Sequence, residues 1–222
     1  MVPGTEDYVD LSKTVLVIRA KVTKANGDDL DADEKVEIVN NFPHSLFRQV
    51  DVFLKEKQVT QATSTYAYRA YLETLLNYGP AAKDSQLTAS MFYKDKAGKM
   101  DVSDPTVTNT ANASSGLKKR YEFSKESGTI EMAGPIFCDV FMTERLLLSY
   151  VDIKLVLNRN IQEFCLMASE GGADYRVKLT DAYLKMAHEL ALRKGPAIYP
   201  IRRVECKSFI IPAGCSDHMI DM

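Results

Sequence analysis

Hydrophobic positions in this chain alternate for most of its length and switch once to a helical period. Residues 11–24, LSKTVLVIRAKVTK, predict a first strand. Val15, Val17 and Arg19 fall on one face, and Leu16, Ile18 and Ala20 on the other. Apolar residues on both faces predict a strand covered on both sides near its middle. Asn26-Gly27-Asp28-Asp29 supplies turn residues. Val36, Ile38 and Asn40 then alternate with Glu37 and Val39. Across 47–60, Val50, Val52 and Leu54 oppose Asp51, Phe53 and Lys55. Lys55-Glu56-Lys57 predicts a hairpin tip, and Gln58-Val59-Thr60 the returning strand.

The period then changes. Tyr68, Tyr71, Leu72, Leu75 and Leu76 recur at the spacing of one helical face, with Arg69 and Glu73 on the other side. This stripe predicts an amphipathic helix whose large apolar face is buried. Ser64 or Thr65 stands where a side chain caps a helix start. Gly79 suits a left-handed C-terminal residue, and Pro80 suits the start of a second, less periodic helix through 81–92. Residues 94–116 are small and polar and predict the longest loop.

Alternation returns after that loop. A strand is predicted over 129–143, broken at Gly134-Pro135, and the clearest one over 151–158. A short helix at 161–168 leads to a turn at Gly171-Gly172. Residues 175–190 alternate again. Their second half is also built of good helix formers, so a helix is the competing reading there; the alternation favours strand. A last strand is predicted over 201–211, before Pro212-Ala213-Gly214. About eight strands and one helical insertion predict a mainly β fold, a jelly-roll β-sandwich with an inserted helical segment at about 64–93.

Composition narrows the function classes. The 222 residues carry a formal net charge of −2, so bulk charge gives no reason to expect direct nucleic-acid binding. Two basic clusters, Lys118-Lys119-Arg120 and Arg202-Arg203, are short and read as solvated faces. No apolar run is long enough to span a bilayer, and the acidic start MVPGTEDYVD lacks the character of a signal peptide. Synthesis in the cytosol is expected. Cys138, Cys165, Cys206 and Cys215 are widely spaced and predict free, mostly buried thiols. Asn112-Ala113-Ser114 is a formal glycosylation sequon without a secretory context.

Candidate chemistry is sparse. There is no P-loop, GxGxxG, HExxH or GxSxG motif. Cys206, Cys215 and His218 lie near one another in sequence but lack the close pairing of a structural zinc site. The acidic run Asp28-Asp29-Asp31-Asp33-Glu34 lacks the spacing of a calcium loop. No catalytic, cofactor or metal residue is therefore assigned. The tyrosines of the helical segment have two readings: one packs the helix onto the sheet, the other anchors a subunit interface, where Tyr is enriched. Tyr66, Tyr68, Arg69, Tyr71 and Glu73 are the candidate interface residues.

Long strings of this chain resemble a known family. NNFPHSLFRQVDVFLKEKQVT, YAYRAYLETLLNYG, SQLTASMFYKDKAGKMD, GLKKR, GPIFCDVFMTERLLLSYVDIKLVLNRNIQEFCLM and KGPAIYPIRRVECKSFIIPAG are similar, in order, to the major capsid proteins of Polinton/Maverick elements and adintoviruses. The resemblance covers roughly residues 11–214. It implies a structural, non-enzymatic protein of the hexon-like, double jelly-roll type, in which trimers tile an icosahedral shell. On that reading residues 1–10 are an N-terminal arm and 11–214 are the N-terminal jelly roll. Residues 215–222 then begin a linker toward a second jelly roll that this sequence does not contain. The implied partners are further copies, which form capsomers, and a minor capsid (penton-like) protein; the implied location is the virion shell. Two alternatives stand beside it: a single-jelly-roll minor capsid protein, and a domesticated copy acting as a non-enzymatic binding module.

Overall fold

A computed structural model describes residues 1–107, 113–169, 174–189 and 201–207. Among the described residues eight strands, all paired antiparallel, carry the fold, with 34% of those residues in strand against 25% in helix. The mainly β expectation holds at that level.

The first strand, β1 (Tyr8–Lys24), is longer than predicted and takes in the last residues of the expected arm. The rest of that arm is not free either: Val2 bridges Ile153, and within β1 Val9 also bridges Leu147. Gly4 is needed here, because a Cβ would lie 2.5 Å from the Tyr150 backbone. Leu16, Ile18, Ala20 and Val22 point into the main core, while Val17 is buried on the opposite face. The strand is covered on both sides at its middle, as its pattern predicts. A bulge after Asp10 is held by its own carboxylate, which accepts from Ser12 N (3.0 Å) and Ser12 Oγ (2.6 Å).

Next come β2 (Val36–Ile38), the short helix α1 (Phe42–Ser45), β3 (Phe47–Leu54) and β4 (Lys57–Gln58). The predicted hairpin between β3 and β4 is present. Helices α2 (Tyr66–Asn77) and α3 (Pro80–Lys83) follow, and then a 3-10 turn, Gln86–Ser90. The single helix expected over 81–92 is therefore split. Gly79 is extended, not left-handed: it ends no helix but precedes Pro80, which starts α3.

Past the long loop the sequence reading missed a helix, α4 (Ser115–Ser124). Then come β5 (Ile130–Pro135), β6 (Ile153–Arg159), α5 (Gln162–Cys165), β7 (Leu166–Ala168) and β8 (Tyr175–Glu189). The ladder of β8 along nearly all of β1 decides its second half for strand. Residues 201–207 form no strand, which corrects the described part of the predicted last one; 208–214 and the Gly171-Gly172 turn lie outside the described residues.

Among the described residues the strands form three sheets, ordered β5-β1-β8, β2-β7 and β4-β3-β6, and none closes into a barrel. All three contribute to one buried cluster. Ile18 and Val22 belong to it together with Ile38, Val50, Val52, Met132, Ile153 and Val177. Burying such side chains is worth about 1.5–3 kcal/mol each relative to exposure.

Candidate functional site

Helix α2 sits where the periodicity puts it, with the opposite face inward. Its buried residues are Tyr66, Ala67, Ala70 and Thr74. Ala70 is fully buried; Tyr68 is 53% exposed, Leu72 47% and Leu76 81%. Tyr71 and Leu75 are also exposed, so the stripe expected in the core faces outward. The reason is local. Small Ala67 and Ala70 let the helix approach β3 and α1 closely, and polar bonds fix that face. Tyr66 OH lies 3.1 Å from His44 Nδ1, and Thr74 Oγ1 donates to Ala70 O at 2.7 Å and accepts from Asn41 Nδ2 at 3.5 Å. Thr65 stands at the helix start, but its hydroxyl donates to Cys206 O and caps nothing.

The candidate interface residues therefore divide. Tyr66 is buried and cannot meet a neighbour, which corrects its assignment. Tyr68 and Tyr71 are available; Tyr68 meets Phe164 edge-on at 5.4 Å between ring centroids. Arg69 and Glu73 are partly buried and committed within the chain. Arg69 Nε donates to Glu73 Oε1 at 2.7 Å, and its Nη2 donates to Asp139. Beside the stripe, Tyr71, Leu75, Phe92 and Met100 line an open cavity of about 430 Å³.

A second cluster, hidden from sequence reading, lies under α4. Arg120, read as part of a solvated basic run, is 1% exposed. Its Nε donates to Ile38 O (3.1 Å), its Nη1 to Tyr93 O (3.0 Å) and its Nη2 to Asp95 Oδ1 (3.3 Å). Asp95 Oδ1 also accepts from Ser114 Oγ at 2.8 Å. Gly116 permits this approach, since a Cβ would stand 2.5 Å from Tyr93 O. One helical turn on, Ser124 Oγ lies 3.2 and 3.3 Å from the two oxygens of buried Glu37. Burial pushes the Glu37 carboxyl up to about 8. The spacing of Leu117, Arg120 and Ser124 on one face was the available signal; the run of charges masked it.

The acidic loop is tied up by cations, with Lys24 Nζ 2.6 Å from Asp31 and 3.2 Å from Glu34. Among the described residues no group of three His, Cys, Asp or Glu is placed to hold a metal; Cys215 and His218 lie outside them. No helix among them is long and apolar enough to cross a membrane.

The thiols differ in access. Burial pushes Cys138 up to about 12 and Cys165 up to about 11, whereas Cys206 is part-exposed. Iodoacetamide at pH 8 is expected to modify Cys206 in the native chain and spare the other two, read by peptide mass spectrometry. Equal labelling of Cys138 would contradict the burial described.

Comparison with known proteins adds one relative. The chain is 28% identical to an uncharacterized protein of Caenorhabditis elegans. The alignment runs over 236 residues, covering 96% of this chain and 52% of that protein. The chain thus spans about half the length of the curated relative it matches. No family model matches it, and no solved structure does.

Proposed function

We propose that this chain is the N-terminal jelly roll of a Polinton/adintovirus-like major capsid protein, a structural subunit that associates with copies of itself into capsomers of an icosahedral shell. The carrying observation is the outward apolar stripe of α2. Tyr68, Leu72 and Leu76 stand on an inserted helix, exposed beside a mainly β body whose own core is complete without them. Contiguous exposed apolar surface of this kind marks a docking face. The strings quoted above, which run in order through nearly the whole chain, supply the family. Three antiparallel sheets around one core are compatible with the jelly-roll sandwich, and alignment to half of a longer relative fits one half of a two-jelly-roll protein. On this reading the protein acts by packing and carries out no catalysis, and a penton-like protein fills its fivefold positions.

The test is electron microscopy with sedimentation of the complete gene product at rising concentration. Threefold capsomers are expected. A monomer at every concentration would overturn the proposal, and a fivefold ring of single subunits would favour the minor-capsid alternative.

The stripe gives a sharper prediction. The double substitution Leu72→Asp, Leu76→Asp is expected to abolish capsomers while changing stability by no more than about 0.5 kcal/mol, the usual range for exposed sites. Capsomers at wild-type yield would remove α2 from the interface.

A further inference from the structure

An open cavity of about 300 Å³ lies beside the β3–β4 hairpin. Its walls come from separate pieces of chain: Leu11 of β1, Leu54 of β3, Val140 of the 3-10 turn Asp139–Met142, and Leu147 and Val151 of the segment before β6. Main-chain hydrogen bonds fix those pieces. Val9 N donates to Leu147 O at 3.1 Å, and Leu147 N returns a bond to Val9 O at 2.7 Å. Tyr150 N donates to Thr5 O at 2.8 Å, and Lys55 N donates to Asp152 O at 2.8 Å. The walls therefore stand without a ligand, as those of small-molecule sites commonly do.

The walls are aliphatic. Among the described residues, the one charged group on them is Lys55, exposed at the hairpin tip. No carboxylate of those residues forms an ion pair with its ammonium. These two facts choose the occupant. A water molecule held inside needs two to four polar partners, which aliphatic walls do not supply. A peptide brings amide groups that need partners too, and burying them unpaired is costly. An alkyl chain needs none and gains with every methylene it removes from water. The lysine then selects the head group. Its flexible stem carries a point charge that can meet an anion at the opening of the cavity.

From this we infer that the cavity is a binding site for a single alkyl chain ending in an anion, a medium-chain carboxylate. The chain lies against Leu11, Leu54, Val140, Leu147 and Val151, and the carboxylate accepts from Lys55 Nζ. The site shares no residue with the outward stripe of α2 and needs no self-association.

Calorimetric titration of the full chain with hexanoate, octanoate and decanoate tests it. One-to-one binding is expected, tightening about fourfold with each added methylene until the cavity is full. Octanoate is expected to bind more tightly than 1-octanol or octylammonium. Lys55→Glu is expected to weaken octanoate about fivefold, the upper range for an exposed ion pair, and to leave 1-octanol unchanged. Val151→Phe fills the cavity and is expected to abolish binding of every chain length. Urea unfolding checks that this variant is folded, and Lys55→Glu decides the matter where it is not. The absence of saturable heat at any chain length, or octanoate binding indifferent to Lys55→Glu, overturns the inference. Sedimentation of the same mixtures separates the other occupant: heat that arises only as oligomers dissociate means that the cavity takes a second copy of the chain, and overturns it as well.

Discussion

Arg120→Met is expected to destabilise the chain by about 3–5 kcal/mol, the range for removing one partner of a buried, hydrogen-bonded charge. Methionine fills similar space and is a good helix former, so α4 itself is not the victim. What is lost is the connection among three separate pieces of chain. The guanidinium bonds Ile38 of β2, Tyr93 and Asp95 of the loop, and stands on α4. Its removal leaves carbonyl groups short of a donor and Asp95 without its cation. Arg120→Lys is expected to recover only part of the loss, because one ammonium cannot span three acceptors arranged for a planar fork. Urea unfolding measures both. An Arg120→Met midpoint equal to wild type at equal slope would mean that the three bonds hold nothing together.

The second large effect is on pH. Glu37 has its folded value raised from 4.5 to about 8, chiefly by burial. Between those values the folded chain holds a proton that the unfolded chain has lost, so stability falls as pH rises through that window. His44 acts in the opposite sense. Burial lowers it from 6.5 to about 3, so stability falls as pH drops from 6.5 toward 3. From about 4.5 to 6.5 the two slopes oppose each other and cancel. These groups together predict a plateau there, an acid fall due to His44, and an alkaline fall above 6.5 due to Glu37. The full Glu37 contribution is on the order of 3–5 kcal/mol. Glu37→Gln keeps an acceptor for Ile38 N and gains a donor toward Ser124 Oγ, so it imitates the protonated acid. Melting temperatures from pH 4 to 9 are expected to lose their alkaline fall in that variant. An unchanged alkaline fall would acquit Glu37.

Strands were legible in most places where alternation ran long, although the one expected over 129–143 stops at Pro135 before a 3-10 turn at Asp139–Met142, and 201–207 form none. The region 182–189 is the clearest case: good helix formers stand in a strand because its main chain completes the ladder with β1. Helix α2 was legible in position but not in orientation. Amphipathic reasoning puts large apolar groups inward, and here Ala67 and Ala70 pack closer than leucine permits. That choice is tertiary and leaves no mark in the period. Helix α4 and Arg120 were missed for a related reason. A buried arginine is stable only because Ile38, Tyr93 and Asp95, distant in sequence, converge on it, and nothing in KKR announces them. The candidate interface was partly legible: Tyr68 and Tyr71 are outward, whereas Tyr66 is bound to His44 and Arg69 is held by Glu73 and Asp139.

The pairing of β1 with β8 also sets a clock. Tyr8 lies opposite Glu189, so the first strand synthesised is among the last to find its partner. At ordinary translation rates the ribosome needs on the order of ten seconds to make the chain between them. During that interval a long apolar strand has one edge with no native neighbour. On a crowded polysome, the β8 of the chain ahead is available before its own. Slower elongation over residues 25–175 therefore lengthens the period of risk, and the yield of native subunit depends on how quickly the middle of the message is read.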